Sequence, residues 1–120
     1  MRQILLAAAA IATCLTSSAH AQVATPLSAY ADKDGYLDVQ ALTCAQLAGT
    51  YQEDANYLTS WYSGWYNGLA KKHYANIPRG KEAEHLTIVY CKEHPQKTVI
   101  EAIGLVIDEM RQKSGIELSK

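Results

Sequence analysis

Three cysteines punctuate the chain, at positions 14, 44 and 91, and which of them reach the folded protein decides what the rest can become. The first lies in a segment with the three parts of a secretory leader. Met1-Arg2-Gln3 makes a short positive start, residues 4–15 are an almost unbroken apolar run rich in alanine, and Ala19-His20-Ala21 fits the small-x-small pattern of a cleavage site. The apolar run is too short to span a bilayer, which takes about 20 such residues. Thr13 precedes Cys14 where a lipid-bearing cysteine usually follows Gly, Ala or Ser, so plain cleavage is expected rather than lipoprotein processing. A signal peptide over 1–21 leaves a mature chain of 99 residues beginning at Gln22.

Cleavage removes Cys14 and leaves Cys44 and Cys91. In an exported chain an even count implies a disulfide, and two cysteines allow one intrachain pairing. The loop so closed holds about half of the mature chain, for which the chain-entropy argument gives roughly 4 kcal/mol. That is comparable to the whole stability expected of so small a domain. The fold must therefore be one in which residues 44 and 91 meet.

The patterns between and beyond the cysteines are helical. Residues 22–41 form an irregular lead-in, with Pro26 and Ser28 followed by the turn cluster Asp32-Lys33-Asp34-Gly35. Thr43-Cys44-Ala45-Gln46 has the form of a capping box and predicts a short helix over 44–49. A long second helix is predicted over 53–74. Glu53 and Asp54 suit its positive end and Lys71, Lys72 and His73 its negative end, while Leu58, Trp61, Trp65 and Leu69 recur as a buried stripe. Ser60, Gly64 and Gly68 line another face, where helical glycines are costly; close approach of a neighbouring helix is the expected reason, with a binding groove as the alternative. A loop over 76–80 leads to a third helix over 81–94, with Leu86, Val89 and Tyr90 on one flank and Ile88 beside Cys91. A fourth helix over 95–113 opens on Pro95 and carries the apolar face Val99, Ile100, Ile103, Val106, Ile107 and Met110. The expected architecture is all-α: a small four-helix domain over 42–113, with its first helix stapled to its third and a frayed tail over 114–120.

The residues carry no catalytic constellation. There is no Gly-rich phosphate loop, no His-Glu-x-x-His and no nucleophile elbow. His73, His85 and His94 have no ligand spacing among them. Asp32-Lys33-Asp34-Gly35-Tyr36-Leu37-Asp38 matches the middle of a calcium loop, but Tyr30 and Ala41 stand at its first and last ligand positions, so a turn is expected there and no metal. Eleven Lys and Arg, one of them Arg2 in the leader, against twelve Asp and Glu leave the mature chain at −2, without the basic stripe a nucleic acid demands. No later segment is apolar for long enough to cross a membrane. What stands out is the aromatic load of the second helix: Tyr57, Trp61, Tyr62, Trp65 and Tyr66 fall within ten residues. A domain this small cannot hide them all, so part of that surface is expected to meet another chain.

Three segments together resemble the HdeA/HdeB family of periplasmic acid-stress chaperones. They are the Thr43-Cys44 pair opening a short helix, the run Trp61-Tyr62-Ser63-Gly64-Trp65-Tyr66-Asn67-Gly68, and Tyr90-Cys91-Lys92-Glu93-His94-Pro95-Gln96-Lys97, the last closest to the HdeB branch. The resemblance covers about residues 42–103. It implies a periplasmic helical protein with the Cys44–Cys91 disulfide, able to form a homodimer near neutral pH, that binds unfolding periplasmic proteins in acid without ATP or metal. Trp61, Tyr62, Trp65 and Leu69 are the residues inferred here for the client or dimer surface. The alternative reading is an immunity-type periplasmic binder that neutralises one toxin partner at neutral pH. A 76–82 connection of some length and an extended fourth helix are departures from the family pattern.

Overall fold

A computed structural model describes residues 23–114. The signal peptide expected over 1–21 and most of the expected tail over 114–120 lie outside them. Within them the chain runs through a single 3-10 turn, Leu27–Tyr30, and then four helices: α1 (Cys44–Ala48), α2 (Gln52–Leu69), α3 (Ile77–Glu93) and α4 (Val99–Ser114). Among the described residues there is no strand, only an isolated antiparallel bridge between Thr43 and Thr98. The all-α, four-helix expectation holds, and several boundaries move.

The five-residue α1 is far too short to persist alone, and its first turn shows why it forms. The Thr43 hydroxyl accepts from the Gln46 amide at 3.3 Å while the Gln46 side chain accepts from the Thr43 amide at 2.9 Å, the capping box expected from sequence. The two remaining orphan amides are taken by the turn before α4: Cys44 N–H donates to the Lys97 carbonyl at 2.7 Å, and Ala45 N–H to the Pro95 carbonyl at 3.0 Å. Each first-turn donor thus has a partner. Val99 N–H in turn donates to the Leu42 carbonyl at 2.9 Å, so the ends of α1 and α4 brace each other.

The disulfide joins α1 to α3 as expected, with Cys44 and Cys91 fully buried and their Cα atoms 4.4 Å apart. Around it lie Leu27 from the lead-in, Leu42, Leu47, Ala55 and Leu58 from the first turns of α2, and Val99, Ala102 and Ile103 from α4. Val106 and Met110 extend the buried face of α4, with Ile107 partly covered. On α3 the inward residues are Thr87 and Cys91, flanked by Ile88 and Tyr90, whereas Leu86 and Val89 are exposed. The buried Thr87 hydroxyl donates to the Ala83 carbonyl at 2.7 Å, which removes the cost of its burial.

Three boundaries correct the sequence expectation. The second helix ends at Leu69, not at 74: Ala70 closes it and Lys71 adopts a positive φ of 52°, so Lys71, Lys72 and His73 lie beyond the last turn. The segment 76–80 is not a loop but the start of α3, where Asn76 caps the helix by accepting from the Arg79 amide at 3.1 Å and Pro78 occupies the first turn. Ile77 thus belongs to a helix, and residues 77–82, expected to lie in a long connection, are the first turns of α3. The fourth helix opens at Val99 rather than Pro95.

Its start is set by Thr98 and Glu101. Thr98 N–H donates to the Glu101 carboxylate at 2.9 Å, the Thr98 hydroxyl donates to it at 3.0 Å, and the Glu101 amide donates back to that hydroxyl at 3.3 Å. The Thr98 amide, then its hydroxyl, then the Lys97 ammonium hold the Glu101 carboxyl below the usual glutamate range. A depressed folded value means stability that is present above the unfolded value and lost as pH falls through the folded one. Glu101→Gln keeps an acceptor for the box but no charge. It is expected to lower the melting temperature at neutral pH, with the difference from the parent closing below the usual glutamate value of about 4.3; thermal melts across that range read it directly.

Candidate functional site

The stripe that periodicity assigned to the core divides in two. Leu58 is 3% exposed, but Trp61 is 46%, Trp65 49% and Leu69 69% exposed. Only Ala55 and Leu58 of α2 are buried, both near its start. The physical reason is length. α1 and the disulfide gather the core at one end of the molecule, and an 18-residue helix of about 27 Å runs on past it. Its outer half has the right pattern for burial, but the described chain covers it only in part.

Tyr57, Trp61, Trp65 and Leu69 follow one another at four-residue steps, so they form a slightly slanting line along one exposed side. Tyr62 is set apart from this line. It is half-buried, lies against the core cluster, and meets the Trp65 ring at 5.7 Å between centroids, tilted by 39°. Of the four residues inferred for a binding surface, three are therefore exposed and the fourth, Tyr62, packs on the core and touches Trp65. Tyr66, Tyr74 and Ile77 add to the exposed apolar area. Tyr74 and Ile77 escaped sequence reasoning because their segment read as a helix end and a loop. The Asn-x-Pro-Arg cap at 76–79 was the signal that α3 begins there.

Among the described residues, no neighbouring helix approaches the small residues beside the aromatic line. A Cβ at Gly64 or Gly68 would meet nothing within 4 Å, which overturns the expectation of close approach. Gly64→Ala and Gly68→Ala are accordingly expected to stabilise the isolated chain by roughly 0.5–1 kcal/mol each, because alanine favours the helix and restricts the unfolded state. Urea unfolding of each variant reads the sign.

A polar seam ties the base of α2 to its neighbours. The Glu84 carboxylate of α3 accepts from the Gln52 side-chain Nε2 at 3.0 Å and from the Thr59 hydroxyl at 3.1 Å. Asp54, in the first turn of α2, accepts from the Leu27 amide at 2.8 Å and so fastens the lead-in across the core. Elsewhere the titratable groups form no centre. Asp32 spends one carboxylate oxygen on the Asp34 and Tyr36 amides, both at 2.9 Å, around Gly35 at φ 87°, so the calcium-like fragment is a turn. His94 stacks on Tyr90 at 4.1 Å and its Nδ1 lies 3.0 Å from the Tyr90 carbonyl. Among the described residues no group of three or more His, Cys, Asp or Glu could hold a metal ion, and no helix is long and apolar enough to cross a membrane.

With that geometry in hand, the comparisons with known proteins are specific in one respect. The model of the HdeA/HdeB family matches residues 4–101. No curated protein and no solved structure matches the chain.

Proposed function

The chain belongs to the HdeA/HdeB family, and on that premise we propose that it is an ATP-independent chaperone that binds acid-unfolded periplasmic proteins through the exposed side of α2 and limits their aggregation. The family is one of acid-stress periplasmic chaperones. The observation that carries the reading to this chain is the exposure of Trp61, Trp65 and Leu69 in one line on a helix whose base is held by a disulfide-closed core. The segment Tyr90-Cys91-Lys92 followed by Pro95-Gln96-Lys97 favours the HdeB branch within the family.

Charge supplies the acid dependence. Near pH 2, below the carboxylate reference values of roughly 4, twelve Asp and Glu lose their charge, ten Lys and Arg keep theirs, and the three His of the mature chain gain one. The mature chain moves from −2 to roughly +13. Self-repulsion then favours loosening, or separation of subunits, and keeps a client complex in solution. The disulfide limits how far the loosened chain can open.

Sedimentation separates this reading from that of a dedicated toxin-neutralising partner. Several unrelated periplasmic proteins are acidified with and without the oxidised mature chain, and the fraction left in the supernatant is measured. Retention of most of them in acid, and no association at neutral pH, is the expected result. Tight association with a single partner at neutral pH, and no retention in acid, would replace it.

A further inference from the structure

The tip formed by the outer half of α2 and the start of α3 differs from the rest of the molecule in charge as well as in apolarity. Residues 55–81 contain no Asp or Glu, and they carry Lys71, Lys72, Arg79 and Lys81. Their formal charge is +4, in a mature chain of net −2; the other residues of that chain therefore sum to −6. Within the same stretch stand both tryptophans of the protein and the exposed Tyr57, Tyr66, Leu69, Tyr74 and Ile77. Residues 55–70 bear no charge at all, so the rings form an uncharged band with the cations gathered at its far end. Lys71 and Lys81 are exposed there, while Arg79 is paired with Glu82 at 2.9 Å.

We infer that this tip docks on the surface of a bilayer rich in anionic phospholipid, with the Trp and Tyr rings at the headgroup boundary and Lys71 and Lys81 against the phosphates. Tryptophan and tyrosine favour that boundary because one part of the ring is apolar and the other hydrogen-bonds to water. A few cations beside an apolar face supply the attraction to anionic lipid, whereas a nucleic acid demands a longer basic stripe. The acidic remainder of the molecule is repelled by the same surface, which orients the tip toward it. Docking leaves the helices outside the hydrocarbon, in keeping with the absence among the described residues of a helix able to cross it.

The inference rests on the charge and exposure of the tip and not on the chaperone reading, and it is tested at neutral pH without any client. The oxidised mature chain is titrated with phosphatidylglycerol vesicles and, separately, phosphatidylcholine vesicles at low salt, following tryptophan emission and co-sedimentation. Because Trp61 and Trp65 are the only tryptophans, the emission reports the tip alone. A shift to shorter wavelength with phosphatidylglycerol, reversed by salt, is the expected result. Each exposed cation contributes about fivefold to binding, so Lys71→Gln with Lys81→Gln is expected to weaken it roughly 25-fold. Absence of binding, equal binding to phosphatidylcholine, or indifference to the lysine changes overturns the inference. A shift that follows protein concentration without vesicles assigns the face to a second copy of the chain and overturns it as well.

Discussion

Replacing Cys44 and Cys91 together by alanine is expected to remove about 4 kcal/mol of stability at neutral pH, because the bond closes a loop with a sequence separation of 47. Single domains of this size are stable by roughly 5–15 kcal/mol in all, so the loss is a large part of the total. The structure gives the bond a second role. Around it α1 meets α3 and α4, both distant from it in sequence, and α1 has only five residues. Without the link, α1 depends on the Lys97 and Pro95 carbonyls that cap it, and those belong to a turn whose position α3 sets. Urea unfolding of the double variant should therefore show a much lower midpoint. A midpoint close to that of the parent would mean that the apolar cluster closes the fold unaided.

The second large effect separates function from stability. Trp61→Ser with Trp65→Ser is expected to abolish most of the protection given to acid-unfolded clients, while changing stability by no more than about 1 kcal/mol, as for exposed positions. Leu58→Ala, three residues before Trp61, is expected to do the reverse. Leu58 is buried among the core residues, and truncating such a leucine costs roughly 2–5 kcal/mol. The pair of results distinguishes a surface that binds from a stripe that packs. Scattering assays on refolded, oxidised variants, each preceded by an unfolding curve, measure both quantities.

Much of this fold was legible in the sequence wherever a local rule had a local cause. The Thr43–Gln46 capping box, the Cys44–Cys91 pairing and the apolar face of α4 depend on few residues close in space or free of rivals. Other signals were present and misread. Asn76 and Pro78 are a helix start, although the segment 76–80 reads as a loop. Thr98 and Glu101 stand at capping-box spacing, yet Pro95 drew the expected start of α4 toward itself.

The candidate site was legible only in part: the aromatic load of α2 singled out Trp61, Tyr62, Trp65 and Leu69, but not which of them the fold leaves exposed. Trp61, Trp65 and Leu69 have the periodicity of a buried face, and periodicity states only that a helix has an apolar side. Whether another element lies against that side depends on where the core ends, which is set by the disulfide and by the shortness of α1. Likewise Gly64 and Gly68 mark a face without bulk, and only the fold reveals that nothing in the described chain approaches it.

The central claim is that this chain protects other proteins in acid. An acid-sensitive periplasmic protein is carried from neutral pH to about pH 2, below the carboxylate range, and back, while light scattering is recorded with and without the oxidised mature chain. Scattering is expected to be suppressed only in the acid range, and the client to return to solution as the pH recovers. Scattering that rises equally with and without the chain at every pH would contradict it.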